Sequence, residues 1–111
     1  MRKGEQKMEY QKCLFGRTII DSSDSDELSM NDKIELEYYE THNLANTNAM
    51  KYGIEIVKKK ENDAKFNIET KIVDNISNEE KDISKLLEIL MINKVTPITV
   101  DDIMSDISVL E

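Results

Sequence analysis

Apolar and polar residues alternate strictly through KIELEYYE from Lys33, with Ile34, Leu36 and Tyr38 on one side and Glu35, Glu37 and Tyr39 on the other. A period of two marks a strand with one buried face. The next stretch, THNLANTNA, is rich in Asn and Thr and predicts a loop. MKYGIEIVKKK then places Met50, Tyr52, Ile54 and Ile56 on one face of a second strand. After a turn at ENDA, KFNIETKIVD aligns Phe66, Ile68, Thr70 and Ile72 as a third. So short a link cannot make a parallel crossover, and these two strands should pair antiparallel. Upstream, CLFGRTII at 13–20 carries β-branched and aromatic residues in loose alternation around Gly16 and is a candidate fourth strand.

Beyond Asp74 the period lengthens to 3.6. Ser77 and Glu80 have the spacing of a capping box, and Ile83, Leu86, Leu87 and Leu90 follow at helical intervals. The pattern predicts a helix from about Asn78 to about Asn93, ended by Val95, Thr96 and Pro97. Thr99 then reads as the N-cap of a second helix, with Asp101 and Asp102 in its first turn and a stripe of Val100, Ile103, Met104, Ile107 and Leu110. Val95, Ile98 and Val100 suit a sealed corner between helix and sheet. The fold class is therefore α+β: a small antiparallel sheet of three or four strands, then a C-terminal two-helix hairpin packed on one face. Residues 1–12 read as a flexible, basic-leaning tail, and 13–111 as a single domain with a flexible acidic loop at 21–32.

Composition narrows what such a domain can do. In 111 residues, 39% are hydrophobic and 34% charged, with no Trp, so the core is aliphatic and small. Self-association is one route to further burial. A net charge of -8 repels nucleic acid and anionic membranes. The helical hairpin around NKVTPITVDDIMSD has the outline of a helix-turn-helix, but its second helix carries Asp101, Asp102 and Asp106 with no Lys or Arg after Lys94. Such a face would be repelled by phosphates, so major-groove reading is not expected. No run of about 18 apolar residues occurs that would span a membrane, and the apolar run CLFG is shorter than a signal-peptide core. A cytoplasmic location is expected.

Chemistry is sparse. The lone Cys13 forms neither an intramolecular disulfide nor a thiolate zinc site, and His42, the only histidine, falls in a polar loop. Cys13 and His42 could pair as nucleophile and base only if the fold brought them together. The acidic DSSDSDELSMND segment, counted from Asp21, has Asp26 and Asp32 where a calcium loop needs Gly and Glu. Gly4, Gly16 and Gly53 are scattered and build no phosphate loop. The carboxylates have structural explanations: Glu35 and Glu37 alternate along a solvent face, and Asp101 and Asp102 begin a helix. No catalytic, cofactor or metal residues are expected, and the protein is not expected to be an enzyme.

What remains is contact. Gly53 interrupts a good strand, as a bulge or a close cross-strand approach would require, or where a partner lies flat on the sheet. Tyr38 and Tyr52 fall on apolar faces, while Tyr39 points the other way among glutamates. Tyr39, Gly53 and Glu55 are the candidate partner contacts, for another protein or a second copy of the chain. The alternative is a nucleic-acid-linked regulator whose basic N-terminal residues, Arg2, Lys3, Lys7, Lys12 and Arg17, meet phosphates while the acidic body stays away.

IELEYYETHN, MKYGIEIVKK and NISNEEKDISKLLEILMINKVTPITVDDIMSD together resemble a family of small cytosolic proteins from anaerobic Gram-positive bacteria, classed as a domain of unknown function. The resemblance covers about residues 33–110. YGIEI and the LLEIL, NKVTPIT, DI hairpin are its most specific elements. It implies one domain shape and carries over no catalytic or binding residue.

Overall fold

The computed structural model describes residues 10–21, 33–43, 51–62 and 65–106. Four strands, β1 (Tyr10–Ile20), β2 (Lys33–Asn43), β3 (Tyr52–Asn62) and β4 (Lys65–Ser77), form one antiparallel sheet in the order β1-β2-β3-β4. Two helices follow, α1 (Glu80–Ile92) and α2 (Val100–Asp106). The stretch at 13–20 is therefore a full member of the sheet, and its strand starts at Tyr10, inside the segment read as a tail. Residues 1–9, most of the acidic loop (22–32) and the loop at 44–50 with Met50 lie outside the described residues.

Alternation on β2 sends Ile34, Leu36 and Tyr38 into the core, where they cluster with Ile54 and Ile56 of β3, Tyr38 directly opposite Ile56. Ile83, Leu86, Leu87 and Leu90 of α1 close over them from one side, with Val95 and Val100 completing the cluster. Such a cluster gains free energy by removing aliphatic surface from water. Its one polar intrusion is satisfied, because the buried Tyr38 hydroxyl donates to the Val95 carbonyl at 2.8 Å. That bond ties the end of α1 to the centre of the sheet. Gly16 supplies the clearance on β1: a Cβ there would lie 2.6 Å from Met91 Sδ, so α1 can approach the strand closely.

Both ends of α1 differ in detail from the expected pattern. The helix begins later than expected, with Glu79 at the N-cap and no side chain capping it. Ser77, expected as the cap, lies two residues ahead, where its hydroxyl accepts from the Glu79 N–H at 3.0 Å and donates to Asp82 at 2.8 Å. Glu80 is drawn elsewhere, to Glu40 of β2. At the other end Lys94 adopts φ 52°, and the Val95 and Lys94 N–H groups return to the carbonyls of Leu90 and Met91. This is a Schellman closure, which ends the helix before the proline is reached. Thr99 faces back into the turn, accepting from the Thr96 N–H at 3.3 Å. The corner is sealed by Val95, Pro97 and Val100, whereas Ile98, expected among them, is 74% exposed. Ile103 and Met104 pack on the core; Ile107 and Leu110 lie outside the described residues.

Three more expectations change. Thr41 and His42 belong to β2, since pairing with β1 and β3 extends the strand past Glu40. Ile68, Thr70 and Ile72 do share a face, but register sets them beside Lys59, Val57 and Glu55, on the side of the sheet that α1 leaves uncovered. β4 instead contributes Val73 and Ile76 to the core. Glu37, read as a solvated carboxylate, is only 6% exposed.

Candidate functional site

Among the described residues, the helix-free side of the sheet collects every candidate contact. Cross-strand register places Tyr39 opposite Glu55 and Thr41 opposite Gly53, so Tyr39, Gly53 and Glu55 lie together on β2 and β3. Their accessibilities differ. Tyr39 is half-buried, Glu55 is 8% exposed, and Gly53 is enclosed by β4. A Cβ on Gly53 would drive into the Val73 carbonyl oxygen and reach the Asp74 Cα and Thr41 Oγ1 at 3.0 Å each. The register of β3 with β4 shifts between Tyr52 and Ile54, and Asn75 adopts φ 59°. The glycine therefore admits a bulge of β4 that crosses directly over it.

Charged groups pair across the middle of this face. The Glu37 carboxylate accepts from Tyr39 Oη at 2.8 Å and Lys59 Nζ at 3.1 Å. Burial by itself would raise the Glu37 pKa, but these hydrogen bonds, with the charges of Lys59 and Arg17, hold it below the usual carboxylate value. The same bond to Glu37, helped by burial, raises the Tyr39 phenol. Lys12 Nζ sits 3.4 Å from Glu55 Oε2 and 4.6 Å from the centre of the Tyr39 ring, adding a cation–π contact. Arg17 approaches Glu35 at 3.6 Å. Lys12 and Arg17, two cations assigned by the alternative reading to phosphates, are thus engaged with carboxylates of the sheet. The rest of that basic set lies outside the described residues.

Apolar side chains flank the pairs on both outer strands. Leu14 and Ile19 of β1 stand beside Tyr39 and Glu35, and Ile68 and Ile72 of β4 beside Lys59 and Glu55; all four are exposed. Sequence reading missed them as a group. The β4 stripe was visible as a period-two pattern, but nothing local says which side of a sheet a stripe will face.

The opposite side holds the remaining chemistry-bearing residues. Cys13 is exposed and sits opposite Glu40, while His42 sits opposite Gln11 and stacks on Tyr52 with ring centroids 4.4 Å apart. The Glu40 carboxyl is pushed up to about 7, first by burial and then by its hydrogen bond and charge repulsion with Glu80. Among the described residues no group of three or more His, Cys, Asp or Glu side chains is arranged to hold a metal ion. No helix there is long and apolar enough to cross a membrane.

No curated protein and no solved structure matches the chain. A family match begins within β1, ahead of the Lys33 at which the resemblance in the sequence starts. It runs over residues 17–109, most of the chain, and the protein accordingly belongs to DUF6514, a family of unknown function.

Proposed function

We propose that this protein is a small intracellular interaction module that binds another protein through the helix-free side and edges of its sheet and performs no chemistry of its own. The observation that carries the reading is the exposure of Leu14, Ile19, Ile68 and Ile72 around a centre of internally paired charges. Exposed aliphatic surface in one region is a usual mark of a contact site. Pairing within the chain matters as much, because a partner that dries the middle of this face leaves Glu35, Glu37 and Glu55 each with a cation of the same chain. The four aliphatic groups then supply the gain from lost water contact, and Tyr39, half-buried among them, is the natural anchor.

The test compares proteins retained from native-cell lysate, after nuclease treatment, by the wild-type chain and by a variant with Leu14→Lys, Ile19→Lys, Ile68→Lys and Ile72→Lys. Circular dichroism and thermal unfolding establish that the variant is folded. Specific proteins held by the wild type and lost from the variant support the reading. Recovery that vanishes with nuclease would move the function to the basic N-terminal residues, and identical recovery by both chains would remove this face from consideration.

A further inference from the structure

Among the described residues β4 has no neighbour on its outer side, and its register with β3 runs without interruption from Lys65 to Val73. The other outer strand, β1, is broken in mid-course by a register shift between Leu14 and Gly16. A straight, unpaired edge is a template for another strand, and natural sheets usually blunt it with bulges or unmatched charges. On β4 the charges instead form a pattern complementary to itself.

Resting on the interaction reading above, we infer that β4 pairs antiparallel with β4 of a second copy of this chain, about a two-fold axis at Thr70. In that register Glu69 lies opposite Lys71 of the second copy, Ile68 opposite its Ile72, and Asn67 opposite its Val73. Symmetry doubles each contact. Neighbouring symmetric registers are worse: an axis at residue 69 opposes two glutamates, one at 71 opposes two lysines, and one at 68 sets Lys65 against Lys71.

The pairing also uses what each copy already presents. Ile68 and Ile72 are 57% and 48% exposed, and both lie on the helix-free side, where cross-strand apolar pairs would cover them. Glu69 meets Lys58 at 3.6 Å, and Lys71 meets Asp101 at 3.1 Å. Joining Glu69 to Lys71 of the second copy links these into a chain of alternating sign, Lys58, Glu69, Lys71 and Asp101, formed twice. The product is a continuous eight-stranded sheet. Because an axis normal to the sheet keeps each face on its own side, both pairs of helices cover one face and both helix-free faces merge into one larger surface.

Sedimentation velocity of the purified full chain, from micromolar to millimolar concentration, tests the inference with a charge-exchange pair. The wild type should show a monomer–dimer equilibrium. Glu69→Lys and Lys71→Glu should each weaken it on the order of tenfold or more, since each creates two like-charge oppositions in a symmetric dimer. An equimolar mixture of the two variants should recover wild-type association, because each supplies the charge the other lacks. Thr70→Asp, exposed at the axis, should weaken association without touching either ion pair, which keeps the test alive if a charge variant fails to fold. A wild type that stays monomeric throughout, or a dimer indifferent to all three substitutions, would overturn the pairing. Lysate partners retained by a strictly monomeric chain would sink the dimer and leave the interaction reading standing. Self-association that follows the charge rules with no other protein retained would do the reverse.

Discussion

Gly53 illustrates how one residue can be conspicuous in a sequence for a reason that only its neighbours reveal. It interrupts the apolar run of β3, and both a bulge and a flat contact surface for a partner would account for that. Val73 and Asp74 of β4 cross over it, leaving no room for a side chain. Gly53→Ala should therefore destabilise the fold by about 1–3 kcal/mol, the usual cost of forcing a methyl group into a filled space. Urea unfolding monitored by circular dichroism reads this directly, and a variant within about 0.5 kcal/mol of wild type would show that β4 shifts aside freely. Tyr39 was legible as far as its direction, since it alternates out of phase with Tyr38. The identity of its partners, Lys12 above the ring and Glu37 at the hydroxyl, depends on strand register and cannot be found by counting along one strand.

At the scale of elements, patterns of period 2 and 3.6 placed β2, β3, β4 and α1 well, and their ends poorly. β2 runs on through Thr41 and His42 because β1 and β3 supply hydrogen-bonding partners there, overriding the loop preference of Thr and Asn. The start of α1 shows a different kind of divergence. Ser77, expected to cap, lies two residues ahead of the actual N-cap, Glu79, and its acidic partner is Asp82, two residues beyond Glu80, which turns toward the sheet. Ser77→Ala removes both hydrogen bonds ahead of the helix and should cost about 1 kcal/mol, the usual net worth of such bonds. Asp82→Ala should cost less, since it leaves the bond from the Glu79 N–H to Ser77 intact. Thermal unfolding of the two variants separates this arrangement from a box that uses Glu80.

The whole molecule is two layers, and one carboxyl pair joins them. Burial of Glu40 on β2, and then its hydrogen bond and charge repulsion with Glu80 on α1, favour keeping a proton on Glu40 and raise its pKa from 4.5 to about 7. A raised folded-state value means a stability contribution fully present below about pH 4.5 and lost as pH rises through 7. Glu37 acts in the other direction and in another window: its lowered value contributes stability above pH 4.5 that disappears only under more acidic conditions. The thermal midpoint should therefore fall between about pH 5 and 8, and Glu40→Gln should flatten that decline. A wild-type midpoint constant across the interval would mean that burial and Glu80 do not hold a proton on Glu40 in solution.

Which residues form strands and which form helices was determined by the chain itself, because hydrophobic periodicity matches the geometry of each element. The acidic character of the second helix, Asp101 and Asp102 with no following cation, was equally plain. Periodicity assigns two faces to every strand but does not orient them relative to the other strands. Tertiary pairing decided that the Ile68 and Ile72 stripe faces away from α1, that Glu37 is buried among cations, and that Ile98 turns outward. These outcomes depend on cross-strand register and on where α1 docks. Both are set by contacts between residues far apart in sequence, and a one-residue slip would exchange the buried and exposed sides of an entire strand.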